Sequence, residues 1–337
     1  MGDRAHIWRL VGSTTRVRRV LAAIAALAVG VSGLVVAIIV LADGDSDRSG
    51  AGGLFGPGTA IGDGFTVAEG ATLLGSRFPE VSSIYRGTPR LGWSAVLLVD
   101  GDPGQVLRAY VAQSEAQGMR TQSLGGACFR TGRLIQCTLS REAGPLDAPA
   151  GHRLYVKLLR SQSGVPGPFA SHLLLQYEQW GDPSLLPQET VTSTPDVSDP
   201  VAGVSFGPPP QQPGRATTGE PIIDPRYGPR DRGVITVEDG SELLAPPAPE
   251  VCTTGGYQGV FRVTGDPRDV VERYAQQFTE KLGPGEQGFQ GEVRAVKRDG
   301  FDVLEATWGQ SGGGGVKALA VTLPDGDSYL TIERCAD

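Results

Sequence analysis

One short motif occurs twice in this chain and constrains its fold more than any other feature. Gly101-Asp102-Pro103, followed by Val106, Leu107 and Tyr110, is matched at a constant offset of 164 residues by Gly265-Asp266-Pro267, followed by Val270, Val271 and Tyr274. An apolar run precedes each copy, Ala95-Val96-Leu97-Leu98-Val99 in one and Val260-Phe261-Arg262-Val263 in the other. Further upstream, Phe65-Thr66-Val67, Gly70 and Leu73-Leu74 parallel Ile235-Thr236-Val237, Gly240 and Leu243-Leu244. Order, spacing and flanking strands agree together, which is the signature of a duplicated module.

The motif reads as a helix start. Asp102 and Asp266 are N-caps whose carboxylates accept orphan backbone N–H groups, and Pro103 and Pro267 occupy the first helical position, where a missing N–H costs nothing. Gly118 and Gly283 supply the stops. Val270, Tyr274, Phe278 and Leu282 fall at i, i+4, i+8 and i+12, a stripe that must lie on a sheet. Four strand-like runs follow each helix: near 127–130, 134–141, 152–160 and 171–179 in the first copy, and near 292–297, 303–308, 316–323 and 329–335 in the second. Leu154, Val156 and Leu158 alternate with Tyr155 and Lys157, which predicts one buried and one wetter sheet face. The expected fold class is α+β: two modules, each one helix packed on a mainly antiparallel sheet of about five strands.

Between Val20 and Ala42, 23 consecutive residues carry no charge. As a helix this run reaches about 34 Å, enough to span a hydrocarbon core. Arg4, Arg9, Arg16, Arg18 and Arg19 precede it and Asp43, Asp45 and Asp47 follow, so the positive-inside rule sets the N-terminus in the cytoplasm and the remainder outside. The run exceeds the usual signal-peptide core, which favours an uncleaved anchor. Ala22, Ala26 and Gly30 form a small-xxx-small face suited to homodimerisation within membrane lipid. The expected organisation is a cytoplasmic tail (1–19), a transmembrane helix (20–42), a Gly/Asp-rich stalk (43–64), module one (65–180), a linker (181–233) and module two (234–337). The linker holds 11 of the 25 prolines and few large apolar residues, so it is expected to be extended and exposed.

Four cysteines fall two per module on the side expected to be oxidising, which predicts disulfides Cys128–Cys137 and Cys252–Cys335. Eight residues separate the first pair and 82 the second, spacings unlike a four-thiolate zinc site. Net charge is −7 without a basic run, which argues against nucleic acid as a partner. His152 and His172 open consecutive predicted strands and read as edge-strand residues rather than a metal pair. Two G-x-S-x-G matches, at Ser205 and Ser311, lack the strand-to-helix context of a nucleophile elbow. Asp43, Asp45 and Asp47 resemble the start of an EF-hand loop, but Arg48 stands where a glycine is required. Glu178, Glu305 and Glu333 lie on predicted strands. No catalytic residue, metal ligand or cofactor emerges.

The strand followed by G-D-P-x-x-V-x-x-x-Y resembles the ectodomain modules of uncharacterised single-pass, membrane-anchored envelope proteins of actinobacteria, over roughly 65–179 and 235–335. That resemblance implies location and architecture but no site residues. A helix over an antiparallel sheet is also loosely similar to cystatin-like and NTF2-like folds. The function expected from the sequence is a non-enzymatic, membrane-anchored extracytoplasmic binding or scaffold protein that engages another envelope protein or a cell-wall component. The alternative is an envelope hydrolase or small-ligand-binding protein with a cleft on the sheet face, marked by a pocket with converging carboxylates or by His152 beside His172.

Overall fold

The computed structural model describes residues 53–85, 88–121, 127–131, 134–144, 150–161, 171–182, 199, 201–207, 214–223, 234–250, 256–283, 291–309 and 315–335. They form 18 strands and two helices. The first half carries β1 (Leu54–Phe55), β2 (Ala60–Gly62), β3 (Phe65–Thr66), β4 (Ala71–Leu74), β5 (Phe78–Tyr85), β6 (Thr88–Val99), α1 (Pro103–Ala116), β7 (Arg120–Thr121), β8 (Ala127–Thr131), β9 (Leu134–Ala143), β10 (Gly151–Ser161) and β11 (His172–Trp180). The second carries β12 (Ser241–Leu243), β13 (Ala248–Glu250), β14 (Gly256–Val263), α2 (Pro267–Leu282), β15 (Arg294–Arg298), β16 (Phe301–Gly309), β17 (Gly315–Thr322) and β18 (Ser328–Cys335).

Both large sheets are antiparallel. The first runs β1-β4-β6-β11-β10-β9-β7, with β5 beside β6 and β8 beside β9; the second runs β12-β14-β18-β17-β16-β15, with β13 beside β14; β2 and β3 make a separate hairpin. In each half the apolar helix face covers one side of the sheet. Val106, Leu107 and Tyr110 share a core with Leu97, Leu154, Leu158 and Leu173, and Val270, Val271, Tyr274 and Phe278 share one with Phe261, Ala306, Ala320 and Leu330.

The repeat is legible in individual atoms. Tyr110 Oη accepts from the Ala68 N–H and Tyr274 Oη from the Glu238 N–H. Gln113 clasps both backbone groups of Thr66, and Gln277 clasps both of Thr236. Gly70 and Gly240, at φ +78° and +77°, turn the chain so that their carbonyls accept from Gly101 and Gly265. In the first half the crossing is tight enough to require a glycine, because a Cβ on Gly101 would stand 2.8 Å from the Gly70 Cα; in the second a Cβ on Gly265 would stand 3.4 Å from the Gly240 Cα, an ordinary contact.

The structure corrects the expected α+β class. The described residues are mainly strand, and the face of each sheet away from its helix is covered by the other sheet rather than by water. Leu74, Phe78 and Val96 of the first sheet form one cluster with Leu244, Val260, Val303, Leu319, Val321 and Tyr329 of the second. The sequence carried the reason in its consecutive apolar pairs. Leu73 and Leu243 point to the helices, whereas Leu74 and Leu244 point between the sheets, so both faces are dry. The Tyr329 ring sits against Gly53 and Gly75, both at positive φ, and edge-on to Phe55, while Arg77 lies over the Phe301 ring at 5.5 Å.

Two segments expected to be open are built in. Leu54–Phe55, assigned to the stalk, pairs with β4. Within the expected linker, Val201 and Phe206 are buried in the first core and Ile222 and Ile223 in the second, so its few large apolar residues are anchors rather than exposed spacers. The membrane-anchored, transmembrane and single-pass descriptions are corrected likewise: among the described residues no helix is long and apolar enough to cross a membrane. The run 20–42, with Ala22, Ala26 and Gly30, lies outside the described residues, as do Asp43, Asp45 and Asp47.

Two stability predictions follow from this packing. Gly75→Ala forces a side chain onto a φ of +74° and a Cβ to 2.8 Å from the Tyr329 ring, so a loss of about 2 kcal/mol or more is expected in denaturant unfolding. Asp266→Ala removes the acceptor for the Arg268 and Asp269 N–H groups and is expected to cost about 1 kcal/mol in the same measurement.

Candidate functional site

A group of mutually contacting polar and aromatic side chains lies where the helix-facing side of the first sheet runs past the end of α1. Antiparallel register lays out its rows. Trp93 is opposite Tyr177, and Tyr177 opposite Leu154; one row further out, Leu91 is opposite Gln179, and Gln179 opposite His152. The Trp93 and Tyr177 rings stack with centroids 5.6 Å apart, and Phe65 meets both edge-on. Beyond the helix end the face opens, and Leu91 is 49% exposed.

A tight hairpin delivers the acid of this group. Asp63 and Gly64, between β2 and β3, sit at φ +49° and +79°, the left-handed pair that a two-residue turn requires and that Asp-Gly adopts readily. The turn aims the Asp63 carboxylate at the Trp93 indole, whose N–H donates at 2.7 Å, and Arg77 pairs with the same oxygen at 3.4 Å. On the other side of Tyr177, the His152 Nδ1 lies 3.3 Å from the phenol oxygen. Burial pulls the His152 pKa down, against a hydrogen bond to the Gln117 backbone and the Asp63 charge, which pull it up. Burial likewise raises the Tyr177 hydroxyl well above the ordinary tyrosine range. At neutral pH a neutral imidazole therefore faces a protonated phenol. That pair can orient a polar group but holds no activated nucleophile, since no described Ser or Cys hydrogen-bonds to His152.

The other residues singled out in the sequence are dispersed. His172 is opposite Leu159 and faces the side away from α1, so it lies at the far end of the β10–β11 ladder from His152 and on the opposite face. Both strands are interior to the sheet, which corrects the edge-strand reading. Glu178 pairs across the ladder with Arg153 at 2.7 Å, Glu305 with Arg298 at 2.5 Å, and Glu333 accepts from Gln258 Nε2 at 3.0 Å. Ser205 lies in an irregular segment whose carbonyl accepts from Arg130. Ser311 lies outside the described residues. Among the described residues no group of three or more His, Cys, Asp or Glu is placed to hold a metal ion.

Cys128 and Cys137 are directly opposite one another in the β8–β9 hairpin and are joined as a disulfide. Cys335 is also disulfide-bonded, and Cys252 lies outside the described residues. Next to the first bridge, Phe129 is 45% exposed on β8, at the border of the sheet. Sequence reasoning passed over Asp63, Trp93 and Tyr177. The available signal was Asp63-Gly64 between Ala60-Ile61 and Phe65-Thr66, a hairpin grammar hidden by assigning that segment to a stalk.

The chain matches no protein-family profile and no curated protein. Among solved structures, a tesB protein from Mycobacterium avium subspecies paratuberculosis aligns at 12% identity over 76% of this chain and 94% of its own, with a TM-score of 0.13, a likeness that carries no argument about fold or activity.

The His152 environment fixes a pH dependence. Because the folded chain binds this proton less readily than the unfolded chain, its contribution to stability is complete above the ordinary histidine pKa of about 6.5 and is lost as pH falls below it. Denaturation midpoints measured from pH 8 to pH 5 are expected to fall more steeply in the wild type than in His152→Gln; parallel curves would contradict the assignment.

Proposed function

We propose that this chain is a non-enzymatic binding or scaffold protein working in an oxidising compartment outside the cytoplasm, where its fused repeats engage another envelope protein or a cell-wall component. The observation that carries the reading is how the polar side chains are used. Glu178 and Glu305 are spent on cross-strand ion pairs, Glu333 on a hydrogen bond from Gln258 and His152 on its contact with the Tyr177 hydroxyl, around three packed apolar clusters. The disulfide across β8–β9 supports the compartment, since such bridges persist where thiols are not kept reduced. It also stiffens the hairpin that displays Phe129, and an exposed aromatic on a rigid border strand is the kind of side chain that anchors interfaces.

The alternative, a hydrolase or small-ligand-binding protein, is favoured by one feature, the opening at Leu91 beside the His152–Tyr177 pair. Two measurements separate the readings. Incubation of the purified chain with ester, amide and glycoside chromogenic substrates is expected to give no turnover above buffer, and crosslinking in its own cells is expected to give a discrete adduct that Phe129→Asp weakens. Turnover abolished by His152→Gln would overturn the binding reading in favour of the hydrolase.

A further inference from the structure

The two repeats serve as controls for one another at the sheet end that carries the helix head. In the second half, Val263 is opposite Ser328 and Ser328 opposite Thr322, and the two hydroxyls hydrogen-bond at 2.9 Å. At the corresponding place in the first half, the Val99 N–H donates to the Ser171 carbonyl, and the β10–β11 register, with Leu159 opposite His172, sets Ser171 across from Arg160. Arg160 alternates with Leu158 and Ser171 with Leu173, both in the core beneath α1, so the guanidinium and the hydroxyl share the helix-facing side.

Here the pairing is incomplete. Arg160 and Ser171 are each 1% exposed, yet neither Arg160 Nε nor Ser171 Oγ has a hydrogen-bond partner among the described residues. The guanidinium makes one contact, Nη2 donating to the Gly207 carbonyl at 3.0 Å, and no described carboxylate forms an ion pair with it. Val99, paired with Ser171, stands three residues before the Asp102 cap of α1, which places the guanidinium near the helix head; burial pulls its pKa down while the charge of Asp102 pulls it up. Arginine stays charged in proteins, so this is a buried cation with an idle donor beside an idle hydroxyl. Two further cations surround it: Arg130, opposite Ile135, which is itself opposite Arg160, and Arg108 on α1. Arg130 donates to the Ser205 carbonyl and Arg108 pairs with Asp199 at 2.9 Å, so three arginines from three elements hold the segment around Val201–Gly207 over this end of the sheet.

We propose that the head of α1 in the first half is a binding site for an oxyanion of the phosphate class, with Arg160 Nε and Ser171 Oγ as its inner donors and Val201–Gly207 as its cover. Asp102 already takes up the Gly104 N–H and its charge offsets the positive end of the helix dipole, so the attraction comes from the arginine and serine side chains rather than from the first helical amides. The second half lacks the site because Thr322 replaces the arginine and satisfies the serine. The proposal is independent of which partner the protein engages.

Calorimetric titration of the full chain with inorganic phosphate, at constant ionic strength and with chloride as reference, tests it. One saturable site per chain is expected. Ser171→Ala, which removes only a hydroxyl, and Arg160→Lys are each expected to weaken it tenfold or more, while Thr322→Val leaves it unchanged. Phosphate is expected to raise the thermal midpoint of the wild type more than that of Ser171→Ala, a readout that holds even where Arg160→Lys folds poorly. A parallel titration with glycerol 1-phosphate separates the sources: equal or tighter binding points to a phosphomonoester group, binding of inorganic phosphate alone to the free ion. Absence of saturable binding over chloride, or equal affinity in the wild type and Ser171→Ala, overturns the proposal.

Discussion

Both large sheets are apolar on both faces along their central strands, and this dictates the rest of the architecture. A helix can cover only one face. The second face of each sheet must find another apolar surface, and the surface available is the equivalent face of the other repeat. Leu74 meeting the cluster around Leu244, Val260 and Tyr329 is therefore the contact on which the whole depends. Each such side chain removed from water contributes about 1.5–3 kcal/mol before conformational entropy is subtracted. Gly53 and Gly75 exist in their left-handed conformations to make room for one of them.

Once the sheets are fused back to back, the repeats no longer need to be alike, and they have diverged at both ends of the helix-facing layer. At the outer end, the first half has Trp93, Tyr177 and His152, where the second has Tyr257 opposite a buried Arg334. At the helix-head end, the first half has Arg160 and Ser171, where the second has a self-satisfied Thr322–Ser328 pair. The conserved parts are those that hold helix to sheet: the capping aspartates, the glycine crossings, the tyrosine hydroxyls and the glutamine clasps. Both halves bury polar groups of their own, but the buried side-chain donor without a partner on the sheet at the helix-head end, Arg160 Nε, and the idle Ser171 hydroxyl belong to the first half.

Local grammar was legible in the sequence. The Asp-Pro helix starts, the stripe through Tyr274 and the hairpin joining Cys128 to Cys137 depend on neighbours a few residues away, and pattern alone fixes them. The sheet-to-sheet contact was not legible as such, because alternation in Leu154–Leu158 was generalised to every strand, whereas Leu73-Leu74 and Val96-Leu97 already demanded two dry faces. The anchoring of the proline-rich segment escaped for a related reason. Average composition predicts exposure, but Val201, Phe206, Ile222 and Ile223 are placed one or two at a time where each core has a vacancy at its margin. The polar clusters depend on cross-strand register, which brings Arg160 to Ser171 and Trp93 to Tyr177 from distant positions, and a linear pattern does not contain that register.

The central claim is that the two halves are one cooperative body joined through their sheets. Native-state hydrogen exchange in increasing denaturant, read by mass spectrometry on peptides covering 93–99 and 256–263, tests it most directly, since both strands lie at the heart of their halves and contribute to the shared cluster. The account predicts that the two peptides open with the same free energy and the same denaturant dependence. Opening of one half at distinctly lower denaturant, with the other still protected, would contradict it.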